Sequence, residues 1–182
     1  MSSNAEQTFP QLHDAVLDNL NNILELKPYF KEGSNQVLGN CREEYSTFVM
    51  ANFTCQTPRC SKRGWRSGKV TILIRGYENN GYHATVFNQQ CERCKKLGIL
   101  ELDQSSYIDR VLYRLKRWGG VSMEIRGSTD RKEVPPHKTD LCEGGERGYC
   151  KSNSPWWACY KAGGGHNAML AKRPTYLICG GC

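Results

Sequence analysis

The spacing of the cysteines is the feature of this chain with the clearest chemistry. Two cysteine pairs lie close in sequence, one with four intervening residues and one with two, and a histidine with two more cysteines follows later. Thiolates and imidazoles presented in close pairs are typical of tetrahedral zinc, since two pairs complete one four-ligand shell. We therefore predict zinc binding. The predicted ligands are Cys55, Cys60, Cys91, Cys94, His137, Cys142 and Cys150.

Ten cysteines could instead form a disulfide framework. The amino terminus has no basic start and no apolar run, so it does not resemble a secretory signal. No stretch approaches the roughly 18 apolar residues of a membrane span. These observations favour a cytoplasmic or nuclear protein whose thiols stay reduced, and so they favour metal over disulfides.

A zinc site can also be catalytic when one coordination position stays open to water. Zinc deaminases carry a His-x-Glu element and many zinc proteases carry His-Glu-x-x-His. None of the four histidines here stands in either pattern. Cys159 and His166 offer only weak spacing evidence for a nucleophile and its base. We expect the protein not to be an enzyme.

The formal charge is +7, and the basic residues form two clusters. One surrounds Trp65, and the other runs along one face of a predicted helix. Guanidinium groups beside aromatic rings suit single-stranded nucleic acid, although a solvated helix face is the simpler alternative. We predict binding of RNA or another nucleic acid. The candidate contact residues are Arg63, Arg66, Arg110, Arg114 and Arg117.

Secondary structure must bring these ligands together. A helix is predicted from Pro10 onward, because leucine or valine recurs every four residues at positions 12, 16, 20 and 24. The residues from Tyr45 to Phe53 resemble a strand. Two further strands, Val70–Ile74 and Tyr82–Phe87, flank Asn80-Gly81, a strong type I′ turn signal. This hairpin would return the second cysteine pair beside the first.

Asp103 can cap a second helix, whose apolar stripe continues to Trp118 before two glycines end it. The elements predict an α+β protein. We expect a small antiparallel sheet with zinc knuckles, an amino-terminal helix and one packed helix.

The motifs of this chain resemble those of a known family, the 3CxxC-type zinc-binding domain, and in particular its fungal branch. The resemblance covers about residues 45–150 and rests on an ordered series of motifs. They are Tyr45-Ser-Thr-Phe, Phe53-x-Cys55, Cys60, Trp65-x-Ser67, Val70-Thr-Ile, Gln90-Cys91-x-x-Cys94, Leu102-Asp103, Tyr107-x-x-Arg110-Val111, His137, Cys142-Glu143-Gly144 and Gly148-x-Cys150.

The resemblance implies a zinc-stabilised, non-catalytic binding domain over residues 45–150, with Trp65 in its core. It would follow a helix and linker over residues 1–44 and precede a Cys/Gly/Trp-rich extension over residues 151–182. Animal relatives include zygote arrest proteins, whose domain binds messenger RNA, and receptor-transporting proteins, which help membrane receptors reach the cell surface. The implied partner is therefore either RNA or a protein, and the alternative function is that of an adaptor or membrane-protein trafficking factor.

Two departures from the family pattern affect the predicted zinc sites. The first pair has four intervening residues instead of two, and the third pair would need cysteine at position 145, where this chain has Gly145. Cys41 or a cysteine of the extension could replace that ligand. The extension could also form a separate site, so we expect one or two zinc ions, or three with that site. Its candidate ligands are Cys159, His166, Cys179 and Cys182.

Overall fold

A computed structural model describes residues 4–20, 23, 27–33, 41–122 and 137–150. The strands are β1 (Glu6–Thr8), β2 (Tyr29–Phe30), β3 (Glu43–Thr54), β4 (Gly64–Gly76), β5 (Gly81–Phe87) and β6 (Ile99–Leu102). The helices are α1 (His13–Leu20), α2 (Gln104–Trp118) and α3 (Glu143–Glu146), with 3₁₀ turns at Pro10–Leu12, Glu78–Asn80 and Thr139–Leu141. The residues of the carboxy-terminal extension, Cys159, His166, Cys179 and Cys182 among them, lie outside the described residues.

The six strands form one sheet in the order β1-β5-β4-β3-β6, and β2 runs parallel to β5 at the same edge as β1. All other pairs are antiparallel. The predicted α+β class with a small antiparallel sheet is confirmed. Among the described residues, no helix has both the length and the apolar character needed to cross a membrane.

One face of the sheet carries the main core. Alternate residues of the three central strands point to this face, as the two-residue period of a strand requires. The helices α1 and α2 contact each other and cover it. Tyr107 and Val111 of α2 are almost completely buried, and Val16 of α1 is as well. The amino-terminal segment therefore contributes to the same core as the central strands. The buried residues are Leu12, Val16, Leu20, Val49, Ala51, Phe53, Val70, Ile72, Ile74, Tyr82, Ala84, Val86, Leu100, Tyr107, Val111 and Leu115.

The turn between β4 and β5 differs by one residue from the prediction. The left-handed residues are Asn79 and Asn80, with φ of 53° and 60°, whereas Gly81 is extended. Asparagine tolerates this conformation better than most residues with a side chain. Gly81 is needed for another reason, because a Cβ there would lie 2.6 Å from the hydroxyl oxygen of Tyr29. Glycine at position 81 allows β2 to pack against the start of β5.

Helix α2 begins and ends as predicted. The Asp103 side chain accepts a hydrogen bond from the Ser106 amide at 2.9 Å, and Gly120 has a φ of 75°. The first turn of α2 also forms hydrogen bonds with strand β3. Met50 accepts a hydrogen bond from the Asp103 amide and donates one to the Ser106 hydroxyl, both at 3.0 Å. Met50 lies at a register irregularity where Gly68 and Lys69 of β4 oppose it.

Residues 137–150 cover part of the opposite face of the sheet. The Tyr149 ring stacks on Phe87 with ring centroids 5.4 Å apart. Cys142 forms an isolated bridge with Gln89, and the Glu143 amide donates to the Asn88 carbonyl at 3.1 Å. No sequence pattern had predicted this second layer. It places the His137 region beside the cysteines that follow β5.

Candidate metal centres

The first centre, which we call the four-cysteine centre, is built by two loops at one end of the sheet. Cys55 directly follows β3, and Cys60 lies in the loop that leads to β4. The second pair lies in the turn after β5, where Cys91 accepts a hydrogen bond from the Lys95 amide at 2.8 Å. Arg59 and Lys95 adopt left-handed φ values of 64° and 58°. These two backbone reversals turn each chain segment sharply beside its second cysteine.

The distances in the four-cysteine centre fit tetrahedral zinc. The four sulfurs lie within 4.8 Å of one another, with Cys55 Sγ 3.6 Å from Cys94 Sγ and Cys60 Sγ 3.8 Å from Cys91 Sγ. Four sulfurs at about 2.3 Å from zinc form a tetrahedron with edges of about 3.8 Å. A disulfide needs about 2.05 Å instead, and none of these four cysteines forms one. The donor set therefore fits one zinc ion.

Polar neighbours lower the pKa of one of these thiols, Cys94. Thr57 Oγ1 lies 3.2 Å from Cys94 Sγ. The hydroxyl of Thr57 and the backbone amide of Lys96 lower the pKa of Cys94 to about 6. Because the thiolate is the form that binds metal, Cys94 is largely ready to bind at neutral pH. Cys55, Cys60 and Cys91 are buried and pack with Trp65. Because Trp65 also packs against the main core, the centre adjoins that core.

The second centre, which we call the histidine–cysteine centre, gathers His137, Cys142 and Cys150. Their ligand atoms lie within 4.8 Å of one another, and His137 Nε2 is 3.2 Å from Cys150 Sγ. Both cysteines are buried, and the neighbouring Cys150 thiol together with burial raises the pKa of Cys142. Metal binding must therefore displace the Cys142 proton. Thr71 of β4 is within hydrogen-bond distance of Cys142, with its Oγ1 3.4 Å from the Cys142 Sγ.

Within the described part of the chain, the histidine–cysteine centre has three histidine or cysteine ligands, and neither centre includes Cys41. Gly145 lies three positions after Cys142, where a Cys-x-x-Cys pair would have its second cysteine. The turn itself is kept, since the Gly145 and Glu146 amides both donate to the Cys142 carbonyl, at 2.8 and 3.1 Å. Gly144 is required here, because a Cβ at that position would lie 2.6 Å from Thr71 Cβ.

An ion-pair bridge links the two centres, and no sequence pattern had indicated it. Glu92 lies between the cysteines of the second pair, and its carboxylate pairs with Lys62 Nζ at 3.0 Å. The other carboxylate oxygen pairs with Lys138, which directly follows His137. Lys138 and Lys62 together lower the pKa of Glu92. The sequence shows a glutamate inside the Cys-x-x-Cys turn. Its two lysine partners could be identified only from the structure, because they are distant in sequence.

The structure divides the predicted nucleic-acid residues into exposed and packed groups. Arg63, Arg66 and Arg117 are exposed. Arg110 is exposed as well, and its Nε donates to the Phe48 carbonyl at 3.2 Å. Arg114 is only half-exposed, because its guanidinium lies 3.1 Å from the centroid of the Tyr45 ring. Two members of the arginine row along α2, Arg110 and Arg114, therefore contact β3, and Arg110 and Arg117 remain exposed to solvent.

The described histidines outside the centres have structural surroundings. His13 Nδ1 lies 3.0 Å from the Tyr82 hydroxyl, and His83 is buried with Nδ1 2.8 Å from the Lys31 carbonyl. Trp65 stacks on Phe53 with ring centroids 5.0 Å apart, in agreement with the expectation that it belongs to the core.

Comparison with known proteins also indicates that the chain binds zinc. The model of the 3CxxC zinc-ribbon family, described as a zinc-binding domain, matches residues 48–148. Neither the curated proteins nor the solved structures include a match to the chain. The matched range contains both centres except for Cys150, and the two donor clusters suit one or two zinc ions. The chain therefore belongs to the 3CxxC zinc-binding domain family and binds zinc.

Proposed function

We propose that this zinc-binding domain is non-catalytic and binds RNA, or another single-stranded nucleic acid, through the exposed basic side chains around its metal centres. The observation that carries the proposal is the position of Arg63 and Arg66. Both are exposed, Arg63 in the loop between Cys60 and β4 and Arg66 near the start of β4. Exposed guanidiniums on a rigid scaffold suit phosphate recognition, because each presents several donors in a fixed plane.

The chemistry of the four-cysteine centre supports a structural role for its zinc. Four thiolates complete a tetrahedral shell and leave no position for a reactive water, as in other structural zinc sites. Three of the four cysteines are buried. Zinc binding then stabilises the loops beside Arg63 and Arg66, and the exposed arginines bind the RNA.

Arginine-to-alanine pairs provide the test of the proposal. One variant replaces Arg63 and Arg66, and a second replaces Arg110 and Arg117. Arg114 is left unchanged because its packing on Tyr45 would add a stability effect. The control variant replaces Lys27 and Arg42, which are also exposed but precede β2 and β3, away from the loops of the four-cysteine centre.

Affinity for a fluorescent single-stranded oligoribonucleotide is measured over a range of salt concentrations. We expect each test pair to weaken binding and to reduce the salt slope by about 0.7 per lost phosphate contact. The control pair should change both much less. Equal effects of all three pairs, or no binding by the original protein, would contradict the proposal. The alternative function, a protein adaptor or trafficking factor, predicts the second of these results.

A further inference from the structure

A cleft of about 220 Å³ lies between the two metal centres. We call it the inter-centre cleft. Lys62, Arg66 and Lys69 line it from the β4 side, and His137 and Lys138 line it from the covering segment. Lys62 lies two positions after Cys60 of the four-cysteine centre, and His137 is a ligand of the histidine–cysteine centre, so both centres adjoin the cleft.

The wall from β4 is held in place by a buried amide. Gln89 Nε2 donates to the Lys69 carbonyl at 3.0 Å and to the Ser67 hydroxyl at 3.1 Å. These bonds hold the register irregularity at Gly68 and Lys69. Such irregularities redirect side chains and occur often beside functional sites. Gln89 itself is 8% exposed and also lines the cleft.

The charges of the cleft suit an anion. Among the described residues that line it, four are basic, Lys62, Arg66, Lys69 and Lys138, and one, Glu92, is acidic. Glu92 pairs with two of the four, so the free protein already holds one carboxylate across the cleft. The side chains of Glu92 and Lys138 are 44% and 55% exposed. Ion pairs at this exposure are weak because water screens them, so a competing anion can exchange with the carboxylate.

The size of the cleft indicates which part of a ligand it holds. Pockets for drug-sized molecules are typically about 300–1,000 Å³. The inter-centre cleft is smaller, and it fits a phosphodiester group better than a whole nucleotide with its base. Contacts to phosphate set position and affinity and do not read sequence.

We propose that the inter-centre cleft binds a backbone phosphate of a single RNA strand, and that the Glu92 carboxylate occupies this phosphate position in the free protein. The inference rests on the proposed RNA binding and assigns its phosphate site and its internal competitor. Binding of the strand displaces Glu92 from Lys62 and Lys138, and the two lysines then contact the phosphate.

Replacement of Glu92 by glutamine tests this proposal, because it removes the competing charge and keeps the side-chain shape. The matched control is Glu78→Gln, which removes the same charge from an exposed residue in the β4–β5 turn. The probe is a 5′-fluorescein-labelled oligouridylate of roughly 12 nucleotides, within the usual site sizes for single strands. Its anisotropy is followed over a series of KCl concentrations. Zinc content and melting temperature are measured for every variant to show that the fold is kept.

We expect E92Q to bind the probe about 3–10-fold more tightly at moderate salt, since one or two lysines gain phosphate contacts. The salt slope should become steeper by about 0.7–1.4 for the same reason. E78Q should leave affinity and slope nearly unchanged. Adding Lys138→Met to E92Q should remove part of the gain, which links the effect to the cleft.

Several results would overturn the proposal. Unchanged or weaker binding by E92Q, with clear binding by the original protein, would reject the Glu92 competitor and leave the proposed RNA binding intact. No binding by either protein would reject both. Inorganic phosphate is also titrated at constant ionic strength. If it binds E92Q as tightly as the oligouridylate does, the cleft is a site for free phosphate, and its assignment to a strand is wrong.

Discussion

Replacement of Gly145 by cysteine should complete the ligand set of the histidine–cysteine centre. The described residues give this centre three ligands, His137, Cys142 and Cys150. The amides of Gly145 and Glu146 donate to the Cys142 carbonyl, as the Lys95 amide donates to Cys91 in the four-cysteine centre. Gly145 is not among the glycines with positive φ, so its backbone accepts a side chain.

The size of the effect follows from the energetics of structural zinc. Zinc binding to four-ligand sites contributes about 10–16 kcal/mol, or roughly 3 kcal/mol for each ligand. A gain of this size corresponds to an affinity about 100-fold higher, since each 1.4 kcal/mol is a factor of about ten. Strain from the added side chain would reduce the gain, and we therefore expect an increase of between about 10-fold and about 100-fold.

The assay is zinc competition against a chromophoric chelator, with native mass spectrometry to count the ions that remain bound. Gly145→Ser is the matched control, because it adds a side chain of similar size without a thiolate. We expect the cysteine variant to keep its second zinc at chelator concentrations that remove it from the original protein and from the serine variant. Unchanged affinity in the cysteine variant would contradict the three-ligand description. It would mean that another ligand, such as Cys159, Cys179 or Cys182, already completes the centre.

Two further predictions concern stability. In the part of the chain that the structure describes, the buried Tyr107 hydroxyl has no hydrogen-bond partner, whereas that of Tyr82 lies 3.0 Å from His13. Tyr107→Phe should therefore leave the free energy of unfolding unchanged or raise it, whereas Tyr82→Phe should lower it by about 1 kcal/mol, as measured in urea titrations. Equal losses in the two variants would contradict this prediction. Burial lowers the pKa of His83. The unfolded chain then binds more protons, so stability is retained above about pH 6.5 and declines below it, by up to roughly 1.4 kcal/mol per pH unit. His83→Gln, measured with saturating zinc, should reduce this decline, and identical pH profiles would contradict the role of His83.

The four-cysteine centre could be predicted from sequence because local signals agreed with the ligand spacing. The hairpin between β4 and β5 has a strong turn signal, and its return strand leads directly into Cys91. Helix α2 was equally clear, since Asp103 and the closing glycines mark both ends. In these segments the residues that determine the structure lie within a few positions of one another.

Features that depend on long-range contacts could not be predicted. Strand β1 has three residues and β2 has two, and each exists because β5 offers an open edge to pair with. The row of arginines along α2 looked uniformly exposed from its spacing. Arg114 is half-buried instead, because Tyr45 of β3 lies beneath it. The bridge through Glu92 joins residues 30 and 46 positions apart, a separation at which spacing carries no signal.

Metal content of the purified protein tests both centres at once, when native mass spectrometry is combined with mapping of the cysteines that react with an alkylating agent. We predict two zinc ions per chain. We also predict that Cys55, Cys60, Cys91, Cys94, Cys142 and Cys150 are protected until a strong chelator removes the metal. One zinc with reactive Cys142 and Cys150 would contradict the histidine–cysteine centre. Disulfides among these cysteines, or protein without metal and with the fold intact, would contradict both centres.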